Sequence, residues 1–262
     1  MKVLISPINV AEAVIAHDCG TDIIDIKNID AKVTVNGVAG GSLGASTAEI
    51  IREVITTISD PKVIFSATLG DLSGDDIPLA PARAQDFIGC GVNYIKVGLC
   101  DFENPEQATR LMKAVRAVCP KEITLVAAGY ADAARFGGLK PNQLIKIAYQ
   151  SGADMVMLDT FVKDGKTLLH ALSPNELFGF TKAAHDCRLG VALAGSIGID
   201  DFPILHVVGA DVVGLRGAVC DQHDRTTMIN PDKAKALMAA ARAFQFQPAP
   251  SQSFTAAAPH AF

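Results

Sequence analysis

Residues 22–27 read Asp-Ile-Ile-Asp-Ile-Lys, an isoleucine-rich run that also carries charged side chains. Near-continuous hydrophobicity over so short a run is typical of a strand in a parallel sheet, which helices cover. Runs of the same kind occur at residues 3–6, 63–67, 94–99, 124–128, 155–159, 190–194 and 212–215. The sequence therefore predicts eight buried parallel strands.

Segments with helical spacing separate these strands. Ser46 or Thr47 is a candidate N-cap for a helix that ends at residue 58, and Ser173, Pro174 and Glu176 form a helix-start signature. Eight strand–helix units at a mean spacing of about 30 residues predict a (β/α)₈ TIM barrel of the α/β class. The alternative is an open doubly wound sheet, but no GxGxxG follows the first strand.

Composition excludes several classes of function. Lysine and arginine total 23 against 28 acidic residues, a net charge of −5, which argues against a nucleic-acid surface or a polybasic membrane anchor. Hydrophobic residues make up 49% of the chain, enough for a large core, but no run is long enough to span a membrane. With no signal peptide and six scattered cysteines, we expect a cytoplasmic protein with free thiols and neither metal nor cofactor.

Two stretches lie outside the strand–helix repeat. Residues 31–44 are long and glycine-rich for such a loop, and they predict a flexible lid over a site. We expect residues 1–244 to form one barrel domain. Residues 245–262 lack Lys, Arg, Asp and Glu, and we expect a tail that is disordered or wraps on a neighbouring subunit of a homo-oligomer.

Charged residues interrupt three of the predicted strands near their carboxyl ends, where a barrel places its catalytic groups. Strand alternation puts Asp25 and Lys27 on the inner face, while Ile24 and Ile26 face the helices. The other candidates on strand ends are Lys96, Asp159 and Lys163.

Structural salt bridges could account for one such pair, but three lysines and two aspartates at one end of a barrel also predict a reactive site. Crowded, desolvated ammonium groups lower one another's pKa and leave a neutral amine near pH 7. Such an amine attacks a carbonyl to form a Schiff base, and neighbouring groups transfer protons. We therefore expect carbon–carbon bond chemistry or dehydration of an aldehyde or ketone.

The last two strands predict a phosphate site. Gly195 and Ser196 follow one strand, and Arg216 and Gly217 follow the next, where barrels bind phosphate through backbone N–H groups. A Gly-Ser pair is also an ordinary turn. Residues 40–44 could be a second anion cradle or a mobile loop, and residues 221–225 are predicted to be a solvated turn.

Seven segments together resemble the (5-formylfuran-3-yl)methyl phosphate synthase family of methanofuran biosynthesis. They are DIIDIKN (22–28), GGSLGAS (40–46), YIKVGL (94–99), AAGYADA (127–133), MLDTFVKDGK (157–166), ALAGSI (192–197) and DVVGLRGAVC (211–220). The resemblance extends in order over residues 2–225, and it implies a TIM-barrel lyase. DIIDIKN and LDTFVKDGK are the most specific of these motifs.

The resemblance implies that two molecules of glyceraldehyde 3-phosphate condense to 4-(hydroxymethyl)-2-furancarboxaldehyde phosphate with loss of phosphate and water. Lys27 matches the Schiff-base lysine of the family. Asp25, Lys96, Asp159 and Lys163 match its proton-transfer and charge partners, with their roles undivided. The chain departs from the family at residues 29–40, a longer connection without the family's proline.

Two other functions remain open from the sequence. A class I aldolase acting on a phosphorylated aldehyde or ketone would share the inward lysines and the phosphate loops. A non-catalytic barrel that binds a phosphorylated ligand would share the loops, although it has little use for a reactive amine.

Overall fold

The computed structural model describes residues 1–102 and 104–245, and within them eight parallel strands close into a barrel. The ring closes where Ile5 pairs with Leu215 and Leu4 pairs with Ile23. The strands are β1 (Lys2–Ile5), β2 (Ile23–Ile26), β3 (Val33–Val35), β4 (Val38–Gly40), β5 (Ile64–Ser73), β6 (Tyr94–Asp101), β7 (Thr124–Tyr130), β8 (Met155–Asp159), β9 (Gly190–Leu193) and β10 (Val212–Leu215). The order around the ring is β1–β10–β9–β8–β7–β6–β5–β2, and it confirms the predicted fold class.

Helices follow the barrel strands and surround them. Thr47 is the N-cap of α2, and Ser173 and Glu176 form the capping box of α7 that the sequence predicts. The predicted tail lies outside the described residues except for Gln245. The helices are α1 (Val10–Asp18), α2 (Ala48–Ile58), α3 (Ala80–Gly89), α4 (Pro105–Val118), α5 (Pro141–Ser151), α6 (Leu168–Ala171), α7 (Pro174–Asp186), α8 (Phe202–Val207) and α9 (Pro231–Gln245).

The buried side chains form two layers that follow strand alternation. Ile24 and Ile26 belong to the outer layer between the strands and the helices. Ile23 belongs to the inner layer inside the barrel, so Asp25, two residues later, shares the inward direction. This arrangement confirms the predicted direction of the β2 side chains.

Strands β5 and β6 are longer than the sequence predicts. The register of the pair shifts between Thr68 and Asp71, so β5 passes through a bulge and continues to Ser73. The Gly-Asp step of this segment resembles the end of a strand in sequence, which explains the short prediction.

Residues 31–44, expected to be a flexible lid, instead contain a folded β-hairpin of β3 and β4. The hairpin is tied to the barrel: Gly41 N donates to Phe161 O at 3.0 Å, and Asn36 Nδ2 donates to Phe136 O at 2.9 Å. None of the helices in the described part of the chain is long and apolar enough to cross a membrane.

Candidate active site

The five predicted catalytic residues lie on three barrel strands, β2, β6 and β8, or within four residues after them. Asp25 is on β2, and Lys27 follows that strand by one residue. Lys96 is on β6, Asp159 ends β8, and Lys163 lies four residues further along. Four of them form two ion pairs, Lys96 with Asp25 and Lys163 with Asp159. The fifth, Lys27, has a pKa that charges of both pairs affect.

The first pair lies deep inside the barrel. Lys96 Nζ donates to Asp25 Oδ2 at 2.5 Å, and Ser6 Oγ donates to the same oxygen at 3.0 Å. Burial raises the pKa of Asp25, but the ammonium charges of Lys96 and Lys27 outweigh it and lower the pKa below its usual value. Asp25 is therefore an ionised carboxylate. Its other oxygen, Oδ1, is buried and accepts no hydrogen bond from the described residues.

The second pair lies nearer the mouth. Lys163 Nζ donates to Asp159 Oδ1 at 2.9 Å, and the N–H of Thr160 donates to that oxygen at 2.7 Å. Burial raises the pKa of Asp159, but the positive charges of Lys163 and Lys27 outweigh this effect and hold the pKa well below its usual range. Asp159 is buried, whereas the Lys163 side chain is 24% exposed.

Lys27 differs from the other two lysines. Within residues 1–102 and 104–245, no oxygen accepts a hydrogen bond from its Nζ and no carboxylate forms an ion pair with it. Burial and the positive charge of Arg225 lower the pKa of Lys27 from 10.5 to about 7, although Asp25 and Asp159 act in the opposite direction. Lys27 is thus a buried amine that is partly neutral at physiological pH.

A cavity of about 660 Å³ opens above these groups at the carboxyl ends of the strands. Lys27, Asp159 and Lys163 line it, whereas Asp25 and Lys96 do not. The structure therefore divides the predicted set into three groups that reach the cavity and an ion pair beneath them.

The predicted phosphate loops also line this cavity. Gly195 adopts a φ of +118°, which a larger residue would hold only with strain, and its Cβ would meet Thr160 at 2.9 Å. In the described part of the chain, no acceptor takes the N–H of Gly195 or Ser196. Gly217 begins a short 3₁₀ turn after β10 and also lines the cavity. Unpaired N–H groups of this kind fit an anion.

Arg216 has other partners than the phosphate predicted for it. It is buried, and its Nη1 donates to Glu12 Oε2 at 2.7 Å, while the Nε–H donates to Arg225 O at 2.7 Å. Nη1 also donates to Ser6 O, and Nη2 donates to Glu12 Oε1 and to Thr227 O, so all five N–H donors of the guanidinium are engaged. Buried Glu12 on α1 requires a cationic partner, and Arg216 is that partner. Arg216 also lines the cavity, so its contact with a substrate phosphate stays a prediction.

A family model for 4-HFC-P synthase matches residues 3–238. The chain belongs to this family. It is 44% identical over 233 residues to a (5-formylfuran-3-yl)methyl phosphate synthase of Methanothermobacter thermautotrophicus, covering 87% of this chain and 92% of that protein. Proteins of the same name are 44% identical over 230 residues in Methanocaldococcus jannaschii (86% and 92% covered) and 40% identical over 246 residues in Methanosarcina barkeri (93% and 100% covered).

Solved structures with the same fold are more distant in sequence. A structure of KGPDC from Streptococcus mutans matches with a TM-score of 0.60 at 12% identity, covering 92% of this chain and 97% of that one. Phosphoribosyl anthranilate isomerase from Thermus thermophilus matches with a TM-score of 0.59 at 16% identity, covering 93% and 100%. At these identities the similarity shows the barrel fold alone.

Sequence reasoning missed Arg225, because residues 221–225 read as a solvated turn. Arg225 is half-buried and lines the cavity, and among the described residues nothing accepts a hydrogen bond from its guanidinium. Its charge also contributes to the low pKa of Lys27. The available signal was its position in the loop after the last barrel strand, where this fold places anion ligands.

Proposed function

We propose that this protein condenses two molecules of glyceraldehyde 3-phosphate into 4-(hydroxymethyl)-2-furancarboxaldehyde phosphate, through a Schiff base on Lys27, in methanofuran biosynthesis. Loss of one phosphate and two water molecules balances the atoms of this reaction. The observation that carries the proposal is Lys27 itself: it lines the cavity, forms no ion pair within the described residues and has a pKa of about 7. Lys96 and Lys163 are each paired with an aspartate.

The neutral amine of Lys27 attacks the aldehyde carbon of the first triose phosphate. A carbon–nitrogen bond forms, the carbonyl oxygen leaves as water, and the imine makes the adjacent C–H more acidic. Removal of that proton leaves a carbon nucleophile for bond formation with the second triose phosphate. Asp159 and Lys163 line the cavity as a carboxylate and an ammonium group, so we assign proton transfer at the substrate to them.

Asp25 and Lys96 have a different task in this proposal, because neither lines the cavity. The two carry opposite charges beneath Lys27, and each charge acts on its pKa: Asp25 raises it and Lys96 lowers it. We assign to this ion pair the control of the Lys27 charge during imine formation.

The cavity offers two places for the substrate phosphates, one in the loops after β9 and β10 and one at Lys32. The N–H groups of Gly195, Ser196 and Gly217 and the guanidinium of Arg225 form the first, in the loops after β9 and β10. Lys32, just before β3, brings a further positive charge to the cavity wall. A condensation of two phosphorylated substrates requires two such anion sites.

The deciding experiment is to incubate the purified protein with glyceraldehyde 3-phosphate alone. We expect phosphate release and a product with the mass and ultraviolet absorbance of a furan aldehyde phosphate. Borohydride added with the substrate should reduce the imine and label the peptide that contains Lys27. Cleavage of a sugar phosphate without a furan product would indicate an aldolase instead, and binding without turnover would indicate a ligand-binding barrel.

A further inference from the structure

The β3–β4 hairpin crosses the mouth of the barrel from one side to the other. It leaves the barrel after β2, and Gly41, the first residue after β4, donates its N–H to Phe161 O in the segment after β8 at 3.0 Å. At the turn of the hairpin, Asn36 Nδ2 donates to Phe136 O in the segment after β7 at 2.9 Å. In the ring of eight strands, β2 and β8 are four positions apart and so lie opposite each other. The hairpin therefore spans the full width of the mouth.

This crossing gives the active-site cavity one of its walls. Ala39, Gly40 and Gly41 line the cavity, as do residues on or after β1, β2, β8, β9 and β10. No lining residue within the described ranges comes from β5, β6 or β7. The hairpin thus separates the cavity from the half of the barrel mouth that those three strands form.

Asp71 on β5 holds the return segment of the hairpin. Its Oδ2 accepts hydrogen bonds from the N–H groups of Ser42 and Leu43, both at 3.1 Å. Its Oδ1 accepts a hydrogen bond from the hydroxyl of Tyr130 on β7. Gly41 passes so close, with a φ of +111°, that a Cβ there would lie 2.8 Å from Asp71 Oδ2. One carboxylate therefore joins the hairpin to two strands of the barrel.

The same return segment reaches the reactive lysine. Leu43 is completely buried, and Thr68 Oγ1 donates to its carbonyl at 3.2 Å. The next residue, Gly44, accepts a hydrogen bond at 2.9 Å from the N–H of Asn28, which directly follows Lys27. A continuous set of backbone contacts thus connects Asp71 to the backbone beside Lys27.

We propose that Asp71 is a positioning residue for the reaction. It does not line the cavity; it acts through the N–H groups of Ser42 and Leu43, which fix the hairpin wall and the backbone beside Lys27. This role rests on the proposed condensation, because an ordered wall matters for imine chemistry that requires water to be excluded from the cavity.

The test is Asp71→Ala, with exposed Asp75→Ala on the same connection as the matched control. Hydrogen–deuterium exchange of residues 29–44 should rise about 10- to 100-fold in Asp71→Ala, because two buried N–H groups lose their acceptor. Exchange in α5 and α7 should match that of the control. kcat should fall about tenfold or more, and borohydride should still label Lys27 because the amine remains.

Asp71→Asn sharpens the test, since its amide oxygen accepts the same two N–H groups. It should restore most of the exchange protection and of kcat. Tyr130→Phe replaces Asp71→Ala as the test if that variant does not fold. It removes the hydroxyl that donates to Asp71 but leaves the carboxylate in place, so we expect a smaller rise in exchange at residues 29–44. Exchange at residues 29–44 that equals the control in all three variants overturns the proposal, as does a raised exchange with unchanged kcat.

Failure of the proposed function gives a different result. If the wild-type protein makes no furan product and forms no borohydride adduct, the condensation is wrong. Exchange of residues 29–44 in Asp71→Ala still decides whether this carboxylate holds the hairpin, because that measurement involves no substrate.

Discussion

Two regions of the barrel each contain two cationic side chains, of which one forms an ion pair and the other does not among the described residues. Inside the barrel, Lys96 lies 2.5 Å from the carboxylate of Asp25, whereas Lys27 has no ion-pair partner among the described residues. In the loop after β10, Arg216 is enclosed by Glu12 and backbone carbonyls, whereas nothing in the described residues accepts a bond from Arg225. In both regions one cation is paired with a buried carboxylate, and the other lines the cavity without an ion-pair partner among the described residues.

The two regions differ in residue type but share one pattern: a lysine or an arginine is distinguished from its neighbour by whether it has an ion-pair partner. A buried charge without a partner is costly, so a protein retains one where it serves a purpose. Arg225 also acts on Lys27, since its positive charge lowers the pKa of Lys27.

The largest effect is expected for Lys27→Ala. Loss of the amine removes the covalent route, and kcat should fall by roughly 10³-fold or more. Lys27→Arg should not restore it, because a guanidinium stays protonated and forms no imine. Steady-state kinetics and borohydride labelling check this, with exposed Lys146→Ala as the control. A borohydride label on Lys96 or Lys163 in the wild-type protein would show that another lysine is the nucleophile, although the site would be the same.

Arg216→Gln should act on stability. It leaves the carboxylate of Glu12 buried without its partner, and breaking a buried pair in this way costs about 3–5 kcal/mol. Urea denaturation should therefore show a large fall in the free energy of unfolding. Equal stabilities of Arg216→Gln and Arg225→Gln would contradict the division of roles between the two arginines.

The sequence predicts the barrel well because each of the eight barrel strands carries its own local signal of buried apolar residues, as at Ile23 and Ile24. It also predicts Asp25 and Lys27 on the inner face, because strand alternation is local. It could not predict which cation would be paired. Glu12 and Arg216 are 204 residues apart, and their contact arises only when the barrel closes.

The hairpin was missed for a related reason. Residues 31–44 contain several glycines, and glycine is typical of mobile loops. Their order comes from partners far along the chain, such as Phe161 and Asp71. The bulge in β5 that carries Asp71 likewise depends on pairing with β6.

Arg225→Gln should act on substrate binding. Loss of a charge-assisted phosphate contact should raise KM for glyceraldehyde 3-phosphate by about 10- to 100-fold, since charged hydrogen bonds contribute about 1.5–3 kcal/mol. The free energy of unfolding should change little, in contrast to Arg216→Gln. An unchanged KM would show that the loops after β9 and β10 hold the phosphate without this residue.

The pH dependence of kcat/KM tests the coupling between the two regions. Activity of the wild-type protein should rise with pH through about 7, because the amine of Lys27 reacts when neutral. Arg225→Gln removes a charge that lowers the pKa of Lys27, so the rising limb should move to higher pH. Asp25→Asn removes a charge that raises this pKa, and the limb should move to lower pH. Shifts in the same direction would contradict the assignment of the limb to Lys27.

The smallest effect is expected for Lys32→Gln, just before the hairpin. Lys32 lines the cavity, but its side chain is exposed, so water and salt screen its attraction for a phosphate. At low ionic strength KM should rise about two- to fivefold, and the difference from wild type should vanish as salt is added. Exposed Lys146→Gln, outside the cavity, controls for the change in net charge.

A salt-independent loss of kcat would mean that Lys32 orders the hairpin instead of attracting an anion. An unchanged KM at low salt would leave the hairpin as a wall that contributes no charge to binding, and the second phosphate would then have to be held by Lys163 or by backbone N–H groups.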